Sequence, residues 1–147
     1  MASSRSTRST GLAVLRLLTV AGLGVEAYVH IHLAPKYDNI LGAAGISQGM
    51  LFRSVGAIAI LMALLVLAST SRLVNFLAFV TAAGALAAIL LYHYGNPGKL
   101  GPLPDMHDPT WSTLKTLTAV AEGVAAITAA ALVLRRRGAP KAKAAAV

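Results

Sequence analysis

The sequence predicts an all-α integral membrane fold, a four-helix bundle running up-down-up-down with both termini on the same side, and three observations lead there. The first is composition: of 147 residues 56% are hydrophobic and 12% charged, with a mean hydropathy of +0.70, far from the balance of a soluble domain. The second is segmentation. Four apolar stretches, residues 11–33, 49–68, 73–94 and 112–134, each reach the roughly 17–25 residues that carry a helix across about 30 Å of hydrocarbon. The third is an uneven division of lysine and arginine between the two sides that four spans define.

The first span follows a basic tail, residues 1–10 with Arg5 and Arg8. A cleavable signal peptide is the competing reading, because Val25-Glu26-Ala27 loosely fits a small-residue cleavage site. The run stays apolar past that point, at Val29, Ile31 and Leu33, and Pro35 then disfavours helix at the residue before it. The second span is expected to start near Ser47. Gly95 is expected to cap the third, and Asp108-Pro109 offers an N-cap followed by proline at the first helical position of the fourth. The outer loops are then residues 34–48 and 95–111, the second too rich in proline and glycine for regular structure. Ala83 and Ala87, Gly84 and Ala88, and Ala121, Ala125 and Ala129 recur at every fourth residue, a spacing that lets helix backbones approach closely in lipid. Short connections make successive helices antiparallel neighbours.

One side carries nine basic residues, Arg5, Arg8, Arg16, Arg72, Arg135, Arg136, Arg137, Lys141 and Lys143, and the other four, Lys36, Arg53, Lys99 and Lys115. By the positive-inside rule the termini and the 69–72 turn are cytoplasmic and the protein is a multi-pass inner (plasma) membrane protein. Tyr28, Tyr37, Phe52, Tyr92, Tyr94 and Trp111 fall near the outer interface, where amphipathic rings prefer to sit. The net charge of +8 lies in tails and short loops beside apolar spans. It therefore suits the bilayer surface, with anionic lipid at the basic tails 1–10 and 135–147, and not nucleic acid.

The chain has no cysteine, so thiolate metal sites, iron–sulfur clusters and thiol redox chemistry are excluded. No GxSxG, no Gly-rich phosphate loop and no Ser/His/Asp arrangement in a recognisable context supports a hydrolase. What stands out is polar. Glu26 and His30 share one face of the first helix, with Glu26 about 10 Å from its outer end. Arg53 lies about 9 Å inside the second span, at the depth of Glu26. Lys115, Thr118 and Glu122 share a face of the fourth, and His93 ends the third.

Unpaired charges in lipid cost roughly 2.5–3.5 kcal/mol each on insertion scales, so these groups are expected to face one another or a wet cavity in the extracytoplasmic half. A structural network would pair Glu26 with Arg53, and Glu122 with Lys115 or His93. A metal site would use Glu26, His30 and His93, with Asp105, His107 and Asp108 of "DMHD" in support; such donors suit Zn, Cu or Fe, and Met50 and Met106 add soft ligands. Haem b between His30 and His93, or a quinone, is the redox alternative. Proton-coupled transport of a small solute through Glu26 and Glu122 is the fourth reading.

At "LAVLRLLTVAGLGVEAYVH" the chain resembles the first helix of DoxX-type four-helix membrane proteins, in which an arginine opens a small-residue-rich span ending in a polar group. Glu26 and His30 stand where that family often carries a basic residue. The resemblance implies a link to membrane redox or quinone-associated complexes. The expectation is thus an accessory or ligand-binding subunit of a membrane complex or homo-oligomer, with Glu26, His30, His93 and Glu122 as the site and no self-contained enzyme.

Overall fold

The structure is a computed structural model that describes the backbone over residues 3–135 and side chains from residue 10. The tail cations Arg5, Arg8, Arg136, Arg137, Lys141 and Lys143 lie outside those limits. Among the described residues the fold is all-α, with α1 (Ser3–Leu33), α2 (Gln48–Ala68), α3 (Arg72–Leu90) and α4 (Thr113–Leu134). All four are long and apolar enough to cross a membrane.

Helix ends follow local hydrogen-bond chemistry. α1 stops at Leu33 and passes into one 3₁₀ turn, Ala34–Tyr37, with Pro35 at its start, where a missing N–H does no harm. Ser47, Ser71 and Ser112 are the N-caps of α2, α3 and α4, each accepting from a backbone N–H of the first turn. The expected cap at Asp108 is therefore corrected. Its carboxylate accepts from the Thr110 N–H at 2.9 Å and pairs with Lys115, so the helix begins only after Ser112. Gly95 is likewise not the left-handed residue that ends the third span. α3 widens into a π turn, Leu91–Gly95, and Asn96 takes the positive φ of 41°.

α1 packs on α2 and α4, and α3 packs on α4 and more sparsely on α2. The core interleaves Leu23, Met62 and Val66 with Ala59, Ala78, Ala82, Ala125 and Ala129. Small side chains let the helices come close: a Cβ on Gly22 would stand 2.6 Å from the Ala121 carbonyl oxygen and 2.8 Å from the Ala125 Cβ. Ala121, Ala125 and Ala129 are buried as expected, although Ala121 and Ala125 meet α1. Gly84, Ala87 and Ala88 are exposed. The buried stripe of α3 runs instead through Asn75, Ala78 and Ala82, which the 3.6-residue period places on a different face.

Leu17, Leu64, Leu73, Ile127 and Leu134 are each more than half exposed. Fewer than half of the residues in each span are buried inside the bundle, the pattern of helices whose outer faces meet hydrocarbon. At one end, arginines close carbonyls of the last turn of α2, the turn before α3 and the end of α4. Arg16 Nη2 donates to the Val66 and Leu67 oxygens at 2.6 and 2.7 Å, and Arg72 and Arg135 reach the carbonyls of Arg135 and Thr70, both at 2.7 Å. At the other end the 38–47 and 96–112 loops pack together, with Gly42 against the backbone of Pro102–Pro104 so tightly that a Cβ has no room.

Gly22→Val should therefore wedge α1 from α4 and destabilise the bundle by about 1–3 kcal/mol, the usual cost of overpacking. Gly24→Ala, with no atom within 4 Å of the added Cβ, should leave thermal unfolding in detergent unchanged or slightly raised.

Candidate functional site

Near the loop end, α1 and α4 bury two carboxylic side chains. Glu26 and Glu122 are both 0% exposed, and their carboxyl groups lie close enough for charge on one to act on the other. Glu122 Oε1 accepts from the Thr118 hydroxyl at 3.1 Å. Its Oε2 and both oxygens of Glu26 have no hydrogen-bond partner. Such orphaned buried oxygens are rare in folded proteins and call for a physical explanation.

One turn from each glutamate towards the loops, His30 and Thr118 line a cavity of about 320 Å³. Leu33 of α1, Phe52 and Val55 of α2 and Ile89 of α3 give it apolar walls, α4 adds Lys115 and Thr118, and Asp105–Asp108 of the long loop complete it. Its volume sits at the lower end of the roughly 300–1,000 Å³ typical of small-molecule sites. Polar groups from the helices converge on it as well. His30 donates its Nδ1–H to the Glu26 carbonyl at 2.9 Å, leaving Nε2 as an acceptor. Tyr92, turned inward by the π turn, has a buried hydroxyl without a partner. The Thr118 hydroxyl and the Lys115 ammonium complete the set.

Several expected partnerships are replaced. Arg53 does not pair with Glu26; its guanidinium grips Asp38 through two hydrogen bonds of 2.6 and 2.7 Å. The two residues share a depth but not an azimuth, because the 3₁₀ turn carries Asp38 back over the first turns of α2. Lys115 pairs with the Asp108 carboxylate at 3.2 Å and with the Thr110 carbonyl at 3.1 Å, not with Glu122.

His93 lies outside the cavity, its ring 4.3 Å from Tyr94 and 4.5 Å from Trp111 and its Nδ1–H on the Asp108 carbonyl. It fastens the loop. His30 and His93 therefore do not face each other across one pocket as a haem would require. Among the described residues no three His, Asp or Glu side chains gather as a metal ion needs, since Glu26 turns into the α1–α4 seam, His107 donates to the Tyr92 carbonyl at 2.7 Å and His93 faces aromatic rings. Met50 is exposed, whereas Met106 lines the cavity.

Asp38 and the inward turn of Tyr92 escaped sequence reading. An acid within reach of a span arginine is a signal for the first, but nothing in the sequence marks the π turn. A larger furrow between α1 and α2, about 560 Å³, is apolar apart from Tyr28 and His32 and opens outward. It has the character of a lipid-facing groove.

No family model, no characterised protein sequence and no solved structure matches the chain. The site must speak through its own chemistry.

Outside the spans, two carboxylates titrate low. Hydrogen bonds from Arg53 hold Asp38 below the usual carboxylate range despite some desolvation. Burial pushes Asp108 up, but hydrogen bonds from the Thr110 N–H and Lys115 outweigh it and leave the group lowered. A lowered folded value means stability that is present above the ordinary aspartate pKa of about 3.9 and lost as pH falls through the folded value. Melting temperature should accordingly fall in that acidic window, and less steeply in Asp38→Asn and Asp108→Asn. In double-mutant cycles Glu26→Gln and Arg53→Gln should add to within about 0.3–0.5 kcal/mol, as independent sites do. Asp38→Asn and Arg53→Gln should not.

Proposed function

We propose that this chain is a small multi-pass inner-membrane protein, up-down-up-down with both termini cytoplasmic, that binds a largely apolar molecule carrying one hydrogen-bonding head group in its extracytoplasmic half. The cavity carries this reading, since it combines apolar walls from α1, α2 and α3 with a convergent donor and acceptor set. The nine-to-four division of basic residues supports the orientation. Residue contacts that pair Arg16 with Leu67, Thr19 with Thr128 and Arg72 with Arg135 support antiparallel neighbours.

The chemistry of the head group follows from the lining. A carbonyl oxygen would accept from the Tyr92 hydroxyl, whereas the Lys115 ammonium is already committed to Asp108 and Thr110, and a hydroxyl would donate to His30 Nε2. A ring bearing oxygens fits this lining, a quinone accepting from Tyr92 and its quinol also donating to His30, while Phe52 and the aliphatic walls take its apolar body. In this reading the protein serves a membrane complex as a binding subunit and carries out no bond chemistry of its own.

Trp111, the single tryptophan of the chain, sits over the Lys115 ammonium at the edge of this site and provides the readout. A short-tailed benzoquinone added to protein in detergent should quench its fluorescence with saturation. Tyr92→Phe should weaken binding about threefold to tenfold, the value of one buried hydrogen bond. Unsaturable quenching that Tyr92→Phe and a bulky Val55→Phe leave unchanged would refute the assignment.

A further inference from the structure

Glu26 and Glu122 have a property that binding in the cavity does not use. Neither glutamate joins a salt bridge among the described residues: Arg53 is committed to Asp38 and Lys115 to Asp108, and Arg16 to two backbone carbonyls. Two ionised carboxylates buried in the same α1–α4 seam, with three of their four oxygens unpartnered, would give up hydration without compensation. Charge balance therefore requires a proton or another cation.

The surroundings of the pair are different on its two sides. Towards the loops, Thr118 lies between Glu122 and the cavity, its hydroxyl hydrogen-bonded to Oε1 and its residue part of the cavity wall. Towards the arginine end come Leu23, fully buried, and the contact of Gly22 with Ala121 and Ala125, too close to admit even a methyl group. The next polar groups that way, Thr19 and Thr128, bond to each other at 2.8 Å, about 10 Å further along α1.

Of the other titratable groups on the packed helices, Tyr28 and His32 line the outward furrow and Arg16 and Arg72 bond carbonyls at the far end; on the cavity side are His30 on α1, held to the Glu26 carbonyl, Tyr92 beyond α3 with a free hydroxyl, and Lys115 on α4. α2 offers only Arg53, which is turned to Asp38.

We propose that Glu26 and Glu122 form a proton-holding acid pair that loads and unloads through Thr118 from the cavity, and from that side alone. A hydronium ion in the cavity gives its proton to Thr118 Oγ as Oγ passes its own proton to Glu122 Oε1. Water, an unchanged hydroxyl and one carboxylic acid result. Release reverses the step. The proposal goes beyond the ligand reading and does not depend on what fills the cavity.

Infrared spectroscopy of the full chain in lipid nanodiscs tests it without any cavity ligand. At neutral pH the protein should show the C=O stretch of a protonated carboxylic acid, absent from the Glu26→Gln, Glu122→Gln double variant. On transfer to D₂O the band should shift as the acid proton exchanges. Thr118→Val should slow that exchange by about a hundredfold, the lower end of what a positioned proton-transfer group contributes. Thr118→Ser should restore the rate, and Thr128→Val, on the closed side, should leave it unchanged. Melting curves identify any variant that has merely unfolded, and the serine and Thr128 variants keep the comparison decisive. Absence of the acid band at neutral pH, its loss on adding sodium at fixed pH, or equal exchange in Thr118→Val and the parent would overturn the proposal.

Discussion

The approach of α1 to α4 at Gly22 is the contact on which the remaining structure depends. In a bilayer the hydrophobic effect does not press helices together, so close van der Waals packing and buried hydrogen bonds must do it. A side chain of a single hydrogen at Gly22 lets α1 lie against the backbone of α4 at Ala121 and Ala125. That one contact sets the register of the pair. Thr19 then falls opposite Thr128, and the carboxyl of Glu26 falls within electrostatic reach of Glu122. A wider crossing would have left room for water or lipid at the acids, and they would have been ordinary solvated or interfacial charges.

Much of this architecture was legible in residue order, and what failed to be legible has one physical origin. Span lengths follow from apolar runs because hydrocarbon thickness imposes them, and Pro35 ended α1 as its geometry requires. Depth along a helix was also readable, at 1.5 Å per residue. Rotation about the helix axis was not. Glu26 and Arg53 have similar depth, yet Arg53 points outward to Asp38, and Gly84 and Ala87 are exposed, off the buried stripe of α3.

The cap at Ser112 instead of Asp108 has the same character, for Asp108 could serve as a cap until Lys115 and the Thr110 amide claimed its carboxylate. For the site, Glu26, His30, Lys115 and Glu122 stood out because ionisable side chains are rare in spans. Tyr92 did not, since a tyrosine near a helix end ordinarily belongs to the interface and only the π turn swings it inward.

The two ends of the bundle solve the same problem, unsatisfied helix termini, with opposite materials, and the position of the site follows from that difference. At one end long arginine side chains fold back onto carbonyls, while Leu132 and Val66 fill the interior completely. Among the described residues no buried side-chain oxygen or nitrogen at that end lacks a partner. At the other end serine caps satisfy amide groups locally, and irregular loops have to cover the top. Loop backbone brings carbonyls and amides that need partners of their own, and His93, His107 and Lys115 are drawn into satisfying them. Those cross-links hold the loops over the helices without filling the space beneath. The cavity is the volume that remains, and its polar groups are those the loops did not engage: the Tyr92 hydroxyl, the free nitrogen of His30 and, one turn deeper, the oxygens of the acid pair.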